Sequence, residues 1–149
     1  STNPIIHGCP GSGKSFISLY NVLYCISQGL NICPTAVTGV NAARVGGLHW
    51  HPLLCIDPNQ SHAPPQRQAE LAILKLQRDP LKIYKLQTMH VLFIDEFYRF
   101  SSEQLSVTDI ILRRVRNSSL LFGGVVIIAN MGEFIIDISR CSFGLIYVI

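Results

Sequence analysis

The sequence predicts an α/β fold, a parallel β-sheet flanked by helices, and three observations carry that expectation. Apolar runs of strand length, "VLFI" at 91–94 and "VVII" at 125–128, alternate with stretches of helical periodicity. Both runs are continuous rather than alternating, as in strands buried on both faces. A glycine-rich segment, "HGCPGSGKSF" at 7–16, separates the first strand candidate from the first helix.

Taken in order, "PIIH" reads as a short strand ahead of the glycine loop. The helix that follows carries Phe16, Leu19, Tyr20, Leu23 and Ile26 at helical spacing, and Gly29 is its natural stop. "NICPTAVT" is a second strand, weakened by Pro34. "GVNAARVGGLHWHPLL" is mixed, with Gly46 and Gly47 as a turn. Residues 55–68 are expected as a proline-bearing loop or insertion. "RQAELAILKLQ" is helical, and Asp79-Pro80 either breaks it or starts a second short helix at Leu81. "HVLFIDEF" is a buried strand ending in two carboxylates. "SSEQLSVTDIILRRVRN" is a helix with Ser101 and Gln104 as a capping box and Arg113, Arg114 and Arg116 at its negative end. "GGVVIIAN" is another buried strand, and "GLIYVI" a last apolar run. The whole of 1–149 is expected to be one domain, without internal repeat, and its ends read as those of a fragment.

Composition limits the classes available. The chain has 149 residues, 48% hydrophobic and only 14% charged, which excludes a disordered polyelectrolyte. A net charge of +3 is too weak to identify an anionic partner. The five cysteines, Cys9, Cys25, Cys33, Cys55 and Cys141, are odd in number and include no C-x-x-C, so reduced thiols and an intracellular location are expected. No secretory pattern is visible at the N-terminus. The most apolar region meets Glu133 and Asp137 after barely ten apolar residues, short of the roughly 20 that a membrane helix needs.

The chemistry starts at the glycine loop. Gly8, Gly13, Lys14 and Ser15 fit G-x-x-x-x-G-K-[ST], the pattern that cradles polyphosphate. Glycines let consecutive backbone N–H groups point inward, and the next helix adds its positive end. Residues Gly8, Cys9, Pro10, Gly11, Ser12, Gly13, Lys14, Ser15 and Phe16 are therefore the nucleotide-binding candidates. Lys14 would reach the β and γ phosphates and Ser15 would ligate Mg²⁺. The bland alternative is a ligand-free glycine turn. Asp95 and Glu96 end a buried strand, on the edge where ligands gather in parallel sheets. Asp95 would hold a magnesium-bound water, and Glu96 would take a proton from the water attacking the γ phosphate. Read alone, the pair would sooner be two solvated carboxylates leaving a strand; beside a phosphate loop the catalytic reading is preferred. The chain lacks the N-K-x-D motif of GTPases, which favours ATP hydrolysis.

Four segments, "GCPGSGKSF", "TAVTGVNAARVGGLHWH", "VLFIDEF" and "LFGGVVII", resemble in order and spacing the first RecA-like domain of Pif-type DNA helicases of superfamily one, over most of residues 5 to 128. The resemblance implies a P-loop NTPase of RecA-like fold, a partial domain of a motor that walks on single-stranded DNA with ATP and Mg²⁺ and serves DNA repair and recombination. It implies that the "TAVTG" segment lies along the DNA backbone, where Thr38 and the Gly39 N–H can bond phosphates and His49 or Trp50 could stack on a base; the bland alternative is a strand end and a turn packed on the sheet. The nucleus or mitochondrion would be the location in a eukaryote. The family's third motif, G-D-x-x-Q, is replaced by "ANMGEFIID", where Asn130 could stand in as a sensor or be a turn residue. The second RecA-like domain, with its arginine finger, is missing, so the segment alone is expected to be weakly active or inactive. A ring-forming ATPase of the AAA+ type, or a degenerate non-hydrolysing remnant that only binds nucleic acid or partners, are the rival readings.

Two further groups read as unremarkable. Lys75, Arg78, Lys82 and Lys85 would line one stripe only if Pro80 did not interrupt their helix. His49, His51, Cys55 and His62 match no zinc spacing.

Overall fold

The computed structural model describes residues 14–36, 42–43, 47–130 and 146–148, with backbone alone at 14–19 and 146–148. The first strand candidate, "PIIH", lies outside them. Among the described residues five strands form one sheet: β1 (Ile32–Ala36), β2 (Leu48–His49), β3 (Val91–Asp95), β4 (Val126–Ala129) and β5 (Ile146–Val148). Their order is β2-β1-β3-β4-β5, and every neighbouring pair is parallel. Among the described residues the helices beside them are α1 (Lys14–Ser27), α2 (Trp50–Leu54), α3 (Pro65–Leu76), α4 (Pro80–Thr88) and α5 (Ser102–Val115). The expected alternation of strand and helix is what forms. Among the described residues no helix is long and apolar enough to cross a membrane.

The sheet's core face carries Cys33, Leu92, Ile94, Ile127 and Ala129, packed with Trp50, Leu53, Leu76, Leu86, Ile111 and Leu112 from the helices. The central strand β3 is buried on its other face too, with Phe93 1% exposed. That double burial is why its sequence is apolar without alternation.

Helix α1 ends as Gly29 predicts. Gly29 takes φ +73°, its N–H donates to the Ile26 carbonyl, and the Leu30 N–H reaches back to the Cys25 carbonyl. That pair of bonds is a Schellman close. The buried stripe is not the expected one, however. Val22 and Cys25 are buried, while Tyr20, Leu23 and Ile26 stand 61%, 55% and 54% exposed. The smaller side chains let the helix sit close over β1, and the bulkier stripe turns away.

Residues 55–68 are more ordered than a loop. Cys55 closes α2 in the left-handed region, Asp57 caps a 3₁₀ turn at Pro58–Gln60, and α3 already begins at Pro65. A proline at the first helical position is preorganised for a helix, so the Pro64-Pro65 pair that reads as loop marks its start. Buried Gln68 ties the segment down by donating to the Ala63 carbonyl. Pro80 opens α4 separately, and Lys75 and Lys82 pair with Asp57 and Asp79, so the basic residues form no single stripe.

Helix α5 starts with the predicted capping box: Gln104 N–H donates to Ser101 Oγ, and Ser101 N–H to Gln104 Oε1. At its far end Arg116 does more than oppose a dipole. Its Nη1 donates to the carbonyls of Leu86, Gln87 and Met89, and its Nε to that of Gly123. One guanidinium thus ties the end of α4 to the turn that feeds β4. Exchanging Arg116 for methionine keeps the stem but strands those acceptors. It should lower stability by about 1–3 kcal/mol, read as a shifted urea midpoint at unchanged slope.

Candidate functional site

The candidate site is built at the C-terminal edge of the sheet. Register pairs Ala36 with His49 on one side and with Asp95 on the other, and pairs Ile94 with Ala129. His49, Ala36, Asp95 and, one step past Ala129, Asn130 therefore form a row along this edge. Asn130 is the pivot. Its N–H donates to the Ile94 carbonyl, its own carbonyl accepts from Phe97 N–H, and its amide Nδ2 donates to Asp95 Oδ1 at 2.9 Å. Asn130 is 7% exposed, so its amide meets Asp95 out of contact with bulk solvent.

Glu96 leaves the strand in the left-handed region, at φ +53°, ψ +46°. A non-glycine residue pays about 1 kcal/mol for that conformation, and such strain concentrates at functional sites. The turn that follows, Phe97–Arg99, is anchored from below. Phe97 is buried and stacks on Phe100 at 5.9 Å, and Phe100 meets the edge of Trp50 at 5.1 Å. The same turn brings Arg99 back over Glu96, with Nε 3.3 Å from Oε2. The atoms are close enough for an ion pair but not aligned as a hydrogen bond, since buried Oε2 has no hydrogen-bond partner. Arg99 Nε also donates to Tyr98 Oη at 3.2 Å. Tyr98, then Glu96, holds the guanidinium's pKa above its usual value.

Of the residues expected at the site, the fold brings Asp95, Glu96 and Asn130 together. Lys14, Ser15 and Phe16 open α1. That helix contacts β1 beyond the Gly29 turn, and its 14 residues make about 21 Å of helix. Gly8, Cys9, Pro10, Gly11, Ser12, Gly13, Thr38 and Gly39 lie outside the described residues.

Trp50 does not stack on a ligand. It is 1% exposed and its Nε1 donates to Thr108 Oγ1 at 3.0 Å. The apolar pocket beneath α2 and the waiting hydroxyl on α5 outcompete solvent for the indole. His49 is half-buried instead and caps α2, its Nδ1 accepting from His51 N–H. The two rings stack at 5.2 Å, and burial, then His49, lowers the His51 pKa. Gly47 keeps this edge strand close, because a Cβ there would run into the Pro34 carbonyl. Among the described residues no group of three or more His, Cys, Asp or Glu could hold a metal ion.

No motif in the local sequence pattern marks Arg99 and Tyr98 as site residues. The available signal was an arginine three residues after a carboxylate at a strand end, a spacing that meets only if a tight turn intervenes.

No family model matches the chain. Among curated proteins it is 26% identical over 132 residues to the ATP-dependent DNA helicase Pif1 of a Psychrobacter species, covering 89% of this chain and 19% of that protein. It is 28% identical over 123 residues to the ATP-dependent DNA helicase PIF1 of Saccharomyces cerevisiae, covering 81% of this chain and 14% of that protein. The chain thus spans less than a fifth of these relatives. Among solved structures, Pif1 helicase from Candida albicans superposes with a TM-score of 0.69 at 24% identity, over 82% of this chain and 27% of that one. Bacteroides Pif1 bound to single-stranded DNA gives 0.64 at 28% identity, over 85% and 28%. The likeness read from the motifs therefore holds over most of the chain, which resembles Pif1 helicases in sequence and shares their RecA-like α/β fold.

Proposed function

We propose that this chain is the first RecA-like ATPase domain of a DNA helicase that hydrolyses ATP to move on single-stranded DNA. The observation that carries the reading is the acidic pair at the sheet's C-terminal edge. Asp95 is fixed by Asn130 and Glu96 is aimed by a strained backbone, in a chain whose relatives are ATP-dependent DNA helicases. The solved neighbours include Bacteroides Pif1 with ADP-AlF4, which supports nucleotide at the glycine loop of Gly8 to Phe16.

In this reading the backbone N–H groups of the loop and Lys14 bind the phosphates. The Ser15 hydroxyl and the Asp95 carboxylate are hard oxygen donors of the kind Mg²⁺ prefers, and they would hold it. When bound, that ion neutralises charge on the phosphate oxygens. Asn130 keeps Asp95 oriented through Oδ1, and Glu96 accepts the proton of the attacking water. Thr38, Gly39 and His49 would contact the DNA, His49 from the same edge as Asp95. The remainder of a longer protein would supply the second RecA-like domain, and the setting would be intracellular.

The test is ATP hydrolysis by the full-length protein with and without single-stranded DNA. The expected result is turnover that DNA stimulates. Turnover indifferent to DNA would instead indicate a ring ATPase, and none at all a non-hydrolysing remnant.

A further inference from the structure

We propose that Arg99 is a positioning residue for Glu96, fixing the carboxylate that serves as proton acceptor; the inference rests on the function just proposed. Three observations converge on it. Glu96 Oε2 is buried, and among the described residues Arg99 faces it, with Nε at 3.3 Å. The turn between them is held by the Arg99 N–H donating to the Glu96 carbonyl and by Phe97 and Phe100 packed below. The guanidinium is itself braced, by Tyr98 Oη at 3.2 Å and by the Tyr98 ring at 5.5 Å.

A glutamate has three side-chain torsions, and a proton acceptor works only from the rotamers that reach its water. A strained backbone sets where Glu96 starts, and a cation on Oε2 selects where its carboxylate ends. The pairing leaves Oε1 as the oxygen to accept a proton. Because Arg99 is half-exposed, water screens the pair, and a modest effect follows rather than a collapse of activity.

The experiment compares Arg99→Ala, Arg99→Lys, Glu96→Gln and the Arg99→Ala/Glu96→Gln double variant in the full-length protein. Steady-state and single-turnover ATP hydrolysis are measured at saturating single-stranded DNA, with thermal midpoints alongside. Arg99→Ala should lower kcat roughly fivefold with KM for ATP unchanged, and Arg99→Lys should restore most of the loss. In the Glu96→Gln background the alanine substitution should cost nothing more, because the group it positions is already gone. An unchanged or raised kcat, a change confined to KM, or an equal loss in both backgrounds would overturn the inference. Wild-type turnover reports separately on the proposed function: without it both readings fall, whereas DNA-stimulated turnover that ignores Arg99 sinks only this one.

Discussion

Replacing Trp50 with alanine is expected to cost about 3–5 kcal/mol of folding stability, the range for deleting a buried large aromatic. The side chain is 1% exposed, meets Phe100 and His51 edge-on, and donates to Thr108 Oγ1. Thr108 passes that bond on, its hydroxyl donating to the Gln104 carbonyl inside α5. Truncation therefore opens a cavity between α2 and α5 and leaves a buried acceptor without its donor. Trp50→Phe fills most of the cavity but still lacks the N–H, and should cost about 1–3 kcal/mol. Urea denaturation of the two variants checks both figures. A base-stacking tryptophan would give the opposite pattern, weaker single-stranded DNA binding at unchanged stability, and that pattern would refute the structural assignment.

Trp50 also shows where sequence legibility stopped. An aromatic flanked by two histidines beside a DNA-associated motif reads as a binding residue. What decides its role is Phe100 and Thr108, 50 and 58 residues away, which no local pattern reveals. The bulkier stripe of α1 failed for a related reason, since spacing shows which residues share a face but not which face fits the sheet. Local rules succeeded where the physics is local. The capping box at Ser101 and the Gly29 close are set within six residues each, and the apolar run of β3 reports its own double burial. The acidic pair was legible because a strand must end somewhere, and a parallel sheet places its ligands there. Its partners were half legible: Asn130 ends the adjacent strand and could be named, whereas Arg99 needed the left-handed turn at Glu96 that no residue type announces.

Lys14→Ala and Glu96→Gln are both expected to cut ATP turnover severely, by different routes. Lys14 carries the positive charge of the glycine loop, so its loss should weaken nucleotide binding and turnover together. Glu96→Gln keeps the size of the side chain and removes its basicity. Turnover should then fall on the order of 10²–10⁴-fold, the usual contribution of a positioned general base, while nucleotide binding persists. Fluorescent-nucleotide titration beside single-turnover hydrolysis separates the two. The split matters because Asp95 and Glu96 are adjacent yet differently held. Asp95 is tied to β4 by Asn130, whereas Glu96 faces Arg99 across the turn. A carboxylate fixed by a neutral amide suits a constant ligand, and one set by a turn of its own suits a group that must gain and lose a proton. If Glu96→Gln lost nucleotide binding as completely as Lys14→Ala, Glu96 would belong to the binding apparatus, and the division of labour between the two carboxylates would fail.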